Sequence, residues 1–397
     1  MRPPDPFRYT KSVKERPADL AVNGGTPAFA ETLHVGRPNI GDRARFLERA
    51  AAILDRRWLT NDGDMVRAFE REVAAACGVP HVVAVCNGTM ALALACRALG
   101  LTGEVIVPSF TFVATAHVLE WHGLVPVFCD VDPATHTLDP DRVEELLSDR
   151  TSAILGVHLW GRACDVERLR TLADRRRLAL LFDAAHAFAC HRDGVPVGSF
   201  GDAAALSFHA TKIVNAFEGG AVATRDGELA ARLRLLRNSG FAGIDRVAAV
   251  GLNAKMTEVS AAMGLTSLES LAVFLEANRA NYAAYVSNLD GLPGIRLVDT
   301  GTSRAHVVIE VDQEVCGVSR DRLVEILWAE NVRARRYFHP GCHRQAPYAE
   351  RYPAAGARLP VTERLAEQVL VLPTGTAVTP GDVAEVCSIV RVATGER

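Results

Sequence analysis

A lysine and an aspartate each follow an apolar run of this sequence and could take part in chemistry. Lys212 stands in SFHATKIVNAFEGG, and Asp183 ends the apolar run LALLFDA. A lysine at a buried strand end is costly unless it loses its charge, and the neutral amine can form a Schiff base. A carboxylate at the carboxyl end of a strand can pair with a cationic ring nitrogen, and His186 could turn toward the same place. Simpler interpretations are an exposed loop lysine, an N-cap aspartate and a packed core histidine.

Two further stretches follow apolar runs and have residue types suited to a phosphate and a planar ring. Asn87-Gly88-Thr89 lies between a strand and a helix, where the free N–H groups of a helix N-terminus bind phosphate. Phe110 and Phe112 follow EVIVP, and one of the two rings could stack on a planar cofactor while the other packs in the core. A phosphate cradle, a stacking ring, a ring-nitrogen partner and a Schiff-base lysine together are what pyridoxal 5'-phosphate (PLP) requires.

The elements that must position these residues alternate between strand and helix. The strand-like runs from residue 81 onward are HVVAV, EVIVP, PVFCDV, SAILGVHLW, LALLFDA, AALSF and AVAT. Helix-like segments separate the first of these runs, and several runs are apolar throughout, which is typical of strands covered on both faces. The alternation predicts an α/β fold with a large, mostly parallel sheet.

The pattern changes near residue 257. Helix signal dominates from Thr257 to Leu289, followed by the short strands IRLV and HVVIEV and a helix from Arg320 that Ser319 caps. A last helix begins at Thr379-Pro380. We therefore predict a flexible N-terminal lead over 1–20, a large α/β domain over 21–256, and a helical connection with a small α+β domain over 257–397.

Composition excludes several classes of protein. Of the 397 residues 49% are hydrophobic and 23% charged, and the net charge of −3 favours neither nucleic acid nor a membrane surface. Nine cysteines without a CxxC pair argue against a disulfide framework or a zinc site, so no bound metal is expected. The sequence shows neither a signal peptide nor an apolar run of about 20 residues, which predicts a cytoplasmic protein. The absence of a GxGxxG after a strand argues against a nicotinamide enzyme.

The motifs that carry a family resemblance run from about Arg37 to Val392. They are WLTNDGDMVRAFE, CNGTMAL, PSFTFVATAH, FDAAHAFAC, SFHATK, FEGGAVAT, GLNAKMTEVSAAMGL and VLVLPTG. In these motifs the chain resembles the DegT/DnrJ/StrS-type sugar aminotransferases. The resemblance implies a fold type I PLP-dependent transferase, similar to aspartate aminotransferase, in which pyridoxamine 5'-phosphate is the intermediate form of the cofactor.

The resemblance also implies roles for individual residues. Lys212 would form the Schiff base, Asp183 would pair with the pyridine nitrogen, and His186 would lie near the 3-hydroxyl. The other cofactor contacts implied are Gly88, Thr89 and Ser207 at the phosphate, Phe112 on the ring, and Asn253 at the phosphate of the partner subunit. The last of these implies a homodimer with shared active sites. Tyr337, His339 and His343 match the family motif more loosely and are the predicted substrate contacts.

The runs GVHLWGR, FCDVDP, SFHATK, MGLTSLES and FHPGCH are most similar to one branch of the family. That branch uses L-glutamate, which becomes 2-oxoglutarate, to aminate the 4-position of dTDP-4-keto-6-deoxyglucose in deoxyaminosugar biosynthesis. Amination of a 3-keto-sugar or a cyclitol, synthesis of an aminobenzoate, and a non-catalytic regulatory role remain alternatives. A dehydratase of the same family would carry histidine in place of Lys212.

Overall fold

The computed structural model describes residues 14–395. Its strands, in chain order, are β1 (Leu33–His34), β2 (His81–Val85), β3 (Glu104–Pro108), β4 (Val125–Cys129), β5 (Thr151–Val157), β6 (Ala179–Asp183), β7 (His191–Arg192), β8 (Val195–Pro196), β9 (Ala203–Ser207), β10 (Gly220–Thr224), β11 (Ile295–Leu297), β12 (Val307–Val311), β13 (Val332–Arg333) and β14 (Val369–Leu372). Its α-helices are α1 (Arg43–Arg56), α2 (Asp64–Cys77), α3 (Gly88–Ala98), α4 (Ala114–Trp121), α5 (Pro140–Leu146), α6 (Val166–Arg176), α7 (Gly227–Arg237), α8 (Glu258–Glu269), α9 (Leu271–Leu289), α10 (Gln313–Cys316), α11 (Arg320–Ala329), α12 (Ala346–Arg351), α13 (Pro360–Gln368) and α14 (Pro380–Ala393).

The large sheet has the strand order β2-β10-β9-β6-β5-β3-β4 within the described residues. Neighbouring strands are parallel except where β10 runs antiparallel to both β2 and β9. Alternate residues enter two separate apolar clusters, so that Leu180 and Phe182 pack on one face and Leu181 on the other. Both faces are covered, which explains why the strands are apolar throughout and confirms the predicted α/β class.

The carboxyl ends of the parallel strands bring three polar segments to one edge of this sheet. Asp183 is the last residue of β6 and is paired with Ala205 of β9, which ends two residues later at Ser207. The segment Asn87-Gly88 follows β2 directly and begins α3. We call this edge the carboxyl edge.

A smaller unit, which we call the C-terminal unit, follows in the chain and contains the antiparallel sheet β11-β12-β14. Its apolar core is formed with α9, α11 and α14. The helix predicted over residues 257–289 is broken at Ser270 into α8 and α9, which meet at 58°. Within residues 14–395 no single helix is long and apolar enough to cross a membrane, although this bent pair would pass that test by length and composition.

The N-terminal segment packs differently from the prediction. Residues 21–34 were assigned to the large domain, yet Leu33 and His34 pair with β13, and Leu20 and Phe29 enter the core of the C-terminal unit. Residues 14–20 were assigned to a flexible lead, yet Lys14 is buried in an ion pair with Glu330. Residues 1–13 of that lead lie outside the described residues. The sequence does not indicate this packing because the partners of the segment are distant in the chain, and the domain bounds stay a prediction.

One predicted strand is also too long. SAILGVHLW was expected to be extended to its end, but β5 stops at Val157 and a 3-10 turn follows from Leu159 to Gly161. Trp160 within this turn has a left-handed backbone with φ of 55°. That conformation is uncommon for a large side chain, and it directs the chain across the carboxyl edge.

Candidate active site

Asp183 is buried at the carboxyl edge and held by two hydrogen bonds. The Thr115 hydroxyl donates to Oδ2 at 2.9 Å, and the Ala185 amide donates to Oδ1 at 3.0 Å. The hydroxyls of Thr111 and Thr115 are themselves 3.0 Å apart. Burial raises the pKa of Asp183, while these two hydrogen bonds and the charge of Lys212 oppose that rise. The carboxylate therefore has a fixed orientation and an unusually strong tendency to interact with a cation.

Lys212 lies in the turn that follows β9, where its amide donates to the carbonyl of His209 at 2.9 Å. The side chain is partly buried, and within residues 14–395 its Nζ has no hydrogen-bond or ion-pair partner. Burial lowers the pKa of Lys212 to about 8, an effect that the charge of Asp183 opposes. A substantial fraction of the amine is consequently neutral and nucleophilic near pH 8.

His186 faces the same space and is held by ring contacts. Its ring centroid lies 5.6 Å from that of Trp160 at an interplanar angle of 23°, and 4.1 Å from that of His306. The Nδ1 atoms of His186 and His306 are buried and have no partner in the part of the chain that the structure describes. Burial and the charge of Lys212 lower the pKa of both rings, that of His306 to about 3, so both are neutral.

The start of α3 lies against the end of β9. The Asn87 side chain caps the helix by accepting from the Met90 amide at 2.9 Å. A Cβ at residue 88 would come within 2.9 Å of the Ser207 Cβ, so glycine allows this close approach. Because the first turn of a helix leaves its N–H groups without intrahelical acceptors, Gly88, Thr89 and Ser207 form a cradle suited to an anion.

The two phenylalanines after β3 have different environments. Phe110 is fully buried and makes edge contacts with Trp160 and Phe338. Phe112 is 58% exposed. Phe110 is thus the ring that packs in the core, and the ring of Phe112 is free to cover a ligand.

The structure separates the three predicted substrate residues. Tyr337 stacks on Phe338, which stacks in turn on Trp160, so Tyr337 belongs to the aromatic group around His186. His339 contacts Arg320 and the carbonyl of Ala366. These contacts direct its Nδ1 toward α11 and α13.

His343 is buried, and both of its ring nitrogens are bonded. Nδ1 lies 2.7 Å from the Ser109 hydroxyl, and Nε2 lies 2.8 Å from Glu363 Oε1. A substrate contact by His343 would therefore have to replace one of these two hydrogen bonds, and the predicted contact stays a prediction. His343 instead joins the segment after β3 to α13.

Asn253 lies beside the end of β2 and is exposed. The carbonyl of its neighbour Ala254 accepts from the Cys86 amide at 2.8 Å, and the Asn253 Oδ1 accepts from Lys255 Nζ at 2.7 Å. The loop over residues 241–252 precedes it and carries five exposed apolar side chains, Phe241, Ile244, Val247, Val250 and Leu252. We call this segment the apolar loop.

Sequence reasoning missed four residues of this site, namely Thr115, Trp160, His306 and Phe338. Thr115 lies four residues after Thr111 in the motif PSFTFVATA, a helical spacing that could have paired the two hydroxyls. His306 immediately precedes β12, the polar end of an apolar strand. Phe338 and His306 come from the C-terminal unit, and local sequence gives no signal that this unit reaches the carboxyl edge.

The residues present fit PLP. The cradle at Gly88 accommodates a phosphate without a clashing Cβ, and Asp183 offers a buried carboxylate for a ring nitrogen. Lys212 offers an unpartnered amine of lowered pKa. The orphaned Nδ1 of His186 offers a hydrogen-bonding group for a hydroxyl. Each functional group of the cofactor therefore has a chemically matched side chain on this edge.

A family model described as the DegT/DnrJ/EryC1/StrS aminotransferase family matches residues 41–391. The crystal structure of DesI in the presence of its TDP-sugar product superposes with a TM-score of 0.90 and 51% sequence identity, covering 95% of this chain and 96% of that one. The dTDP-4-amino-4,6-dideoxy-D-glucose transaminase of Escherichia coli is 33% identical over 86% of this chain and 94% of its own length. A UDP-N-acetyl-3-dehydro-alpha-D-glucosamine 3-aminotransferase of Acidithiobacillus ferrooxidans is 35% identical over 83% of this chain and 88% of its own length.

Proposed function

This chain belongs to the DegT/DnrJ/EryC1/StrS aminotransferase family, and we propose that it transfers the amino group of L-glutamate to the 4-position of dTDP-4-keto-6-deoxy-D-glucose. The family is the one predicted from the motifs, and its aminotransferases are PLP-dependent. The choice of acceptor rests on the 51% sequence identity to DesI, whose product is a TDP-sugar. The Escherichia coli relative, named for a 4-amino-4,6-dideoxy sugar on dTDP, supports the 4-position.

The residues of the carboxyl edge have separate roles in the proposed reaction. When bound, PLP supplies an electron sink for the charge that develops as the donor loses its α-proton. Asp183, oriented by Thr115, holds a proton on the ring nitrogen. Gly88, Thr89 and Ser207 hold the phosphate, and Phe112 covers the ring and excludes water from it. His186 binds the 3-hydroxyl.

Lys212 has two tasks in this proposal. It would hold the cofactor covalently, and as a free amine it would move the α-proton of glutamate as a general base. Both tasks need the neutral amine, which burial favours by lowering the pKa to about 8. A water molecule would supply the keto oxygen of the product 2-oxoglutarate, the nitrogen would stay with the cofactor until the keto-sugar accepts it, and Lys212 would return a proton during amination of the sugar.

The experiment that tests the acceptor uses the purified PLP-loaded enzyme with ¹⁵N-labelled L-glutamate and dTDP-4-keto-6-deoxyglucose. We expect a product whose NMR spectrum places the labelled amine on C4. The similarity to the Acidithiobacillus ferrooxidans enzyme makes a 3-keto-sugar the second candidate. Consumption of glutamate only when a 3-keto nucleotide sugar is supplied would exclude the 4-position, and Lys212→Ala is the control for background reaction.

A shared active site is the second part of the proposal. The apolar loop groups five exposed large apolar side chains within twelve residues, among them Ile244 at 92% and Val250 at 82% exposed, and grouped apolar exposure of this kind typically marks an interface. We propose that this loop packs against a second copy and brings the partner subunit's Asn253 to the phosphate.

The variant Ile244→Asp/Val250→Asp tests the dimer. We expect sedimentation to show a dimer for the native enzyme and a monomer with weakened PLP binding for the variant. Trp121→Ser is the matched control because Trp121 on α4 is also 92% exposed but lies outside the loop. A native enzyme that sediments as a monomer would contradict this part of the proposal and leave the acceptor assignment unaffected.

A further inference from the structure

The orientation of His186 depends on ring contacts. Within the described residues neither of its ring nitrogens makes a hydrogen bond, so the plane of the imidazole is set by the rings around it. Trp160 stacks on one side at an interplanar angle of 23°, and Phe338 lies 6.1 Å away at 21°. Trp160 and Phe338 are themselves stacked, with centroids 5.5 Å apart and planes at 12°. The nearest ring, His306 at 4.1 Å, is tilted by 36°, so the two nearly parallel rings are those of Trp160 and Phe338, and whatever fixes the indole of Trp160 contributes to fixing the plane of His186.

His136 is the residue that fixes this indole. It is 1% exposed, and its Nδ1 accepts the hydrogen bond of Trp160 Nε1 at 3.1 Å. The indole nitrogen is only a donor, so Nδ1 must be unprotonated and Nε2 of the neutral ring carries the hydrogen. That Nε2 lies 2.7 Å from Glu310 Oε1 and donates to it.

This network joins the two units of the molecule. Glu310 belongs to β12 of the C-terminal unit and also contacts the exposed Arg296, whereas His136 and Trp160 belong to loops of the large sheet. Phe110 packs edge-on against both His136 and Trp160 and keeps water out of the network. A buried indole N–H that loses its acceptor is destabilised by the full cost of its desolvation. The ring could lower that cost by rotating away from its stacked position toward another acceptor.

We propose that His136 is a positioning residue of the cofactor site: it fixes the plane of Trp160 and, through that ring, the orientation of His186, while Glu310 of the C-terminal unit fixes His136. The proposal rests on the proposed contact between His186 and the 3-hydroxyl of PLP. It adds a residue that touches neither cofactor nor substrate, and it links the loop between β4 and α5 to the spectroscopic properties of the site.

The test compares His136→Phe with His136→Asn, each made in the native and the Trp160→Phe backgrounds. Asparagine can place an oxygen near the position of Nδ1, whereas phenylalanine removes the acceptor. The primary readout is the visible absorption band of the PLP-loaded enzyme, measured as its maximum and its pH midpoint. The affinity for PLP and the rate with glutamate alone are measured beside it.

We expect His136→Phe to shift the band and to lower PLP affinity and the maximal single-turnover rate constant with glutamate by about 5- to 30-fold, with the glutamate concentration at half-maximal rate within about twofold of native. His136→Asn should restore most of the loss. In the Trp160→Phe background, where there is no N–H to accept, His136→Phe should have no further effect on the band. An equal effect in both backgrounds would overturn the proposal, as would a band that His136→Phe leaves unchanged.

Variants of Glu310 test the same proposal if His136→Phe does not fold. Glu310→Gln keeps an acceptor for His136 and should behave like the native enzyme, while Glu310→Ala should shift the band in the native background and leave it unchanged in Trp160→Phe. A shift of equal size in both backgrounds would show that β12 acts on the site by another path. All of these readouts precede the sugar, so they are independent of which acceptor the enzyme uses.

Discussion

Two lysines of this molecule lie in opposite environments. Lys14, in the N-terminal segment, is 2% exposed, forms an ion pair with Glu330 at 3.1 Å and donates to the carbonyls of Asp19 and Thr26, both at 2.6 Å. Lys212, at the carboxyl edge, has no such partner within residues 14–395, and burial lowers its pKa to about 8. The sequence contains four lysines in all, so these two account for half of them. The difference shows that burial alone does not make a lysine reactive; the absence of compensating partners does.

Histidines show the same contrast. His343 is buried with both nitrogens bonded and ties two segments together. His186 and His306 keep a buried nitrogen without a partner where the cofactor is proposed to bind. His343, which holds the fold, is thus fully bonded, whereas His186 and His306, which face the proposed cofactor, keep unused bonding capacity.

The largest effect should come from removing Lys212. Lys212→Ala should lower multiple-turnover kcat by at least about 10⁴-fold, because the proposed mechanism gives one residue both the covalent attachment of the cofactor and the proton transfer. Its melting temperature without PLP should not fall, because the lost ammonium has no partner. Steady-state kinetics and thermal denaturation measure the two quantities. A variant that keeps multiple-turnover activity would show that Lys212 is not required for the reaction. A variant with a lower melting temperature would show that Lys212, like Lys14, stabilises the fold.

Removing the charge of Asp183 should lower kcat by less than removing Lys212 does. Asp183→Asn keeps the shape of the side chain but cannot hold a proton on the ring nitrogen, so we expect kcat to fall by about 10³-fold, which corresponds to about 4 kcal/mol. Thr115→Val, which loses only the hydrogen bond to Asp183, should reduce kcat by about tenfold. A rate for Asp183→Asn close to that of Thr115→Val would mean that the carboxylate has a structural role.

Lys14→Met should show the reverse pattern. Removing one partner leaves Glu330 as an uncompensated buried charge, so the free energy of unfolding should fall by about 3–5 kcal/mol. The kcat of the folded fraction should stay within twofold of native at low temperature. Urea denaturation measures the loss, and Lys14→Met/Glu330→Met should recover most of it. A variant as stable as the native enzyme would show that the ion pair contributes little.

The smallest expected effect is the pH dependence of PLP attachment to the native chain. Because only the neutral amine reacts with PLP, the rate of PLP attachment to the cofactor-free enzyme should rise about tenfold per pH unit below 8 and level off above it. A lysine of ordinary pKa would give a midpoint near 10.5. Stopped-flow absorbance follows the reaction, and a midpoint above about 9.5 would contradict the lowered pKa of Lys212.

Local sequence was sufficient to locate the candidate site residues that directly follow or end a β-strand. Asp183 and Asn87-Gly88 could be located because apolar runs marked β6 and β2, and because parallel strands end at a common edge. The left-handed backbone of Trp160 could not be foreseen, since a run of apolar residues reads as a continuous strand. His306, Phe338 and the partners of Lys14 depend on contacts between distant segments, which periodicity does not encode. The roles of the residues at the carboxyl edge stay predictions until the variants are measured.

The pairing of the N-terminal segment also has a consequence during synthesis. The Ala21 amide donates to Glu330, a residue 309 positions later in the chain. A ribosome that adds about 5–20 residues per second needs roughly 15–60 s to cover that interval. A segment that is made long before Glu330 is therefore among the last to find its place. Until then its apolar residues are available to chaperones and to neighbouring nascent chains.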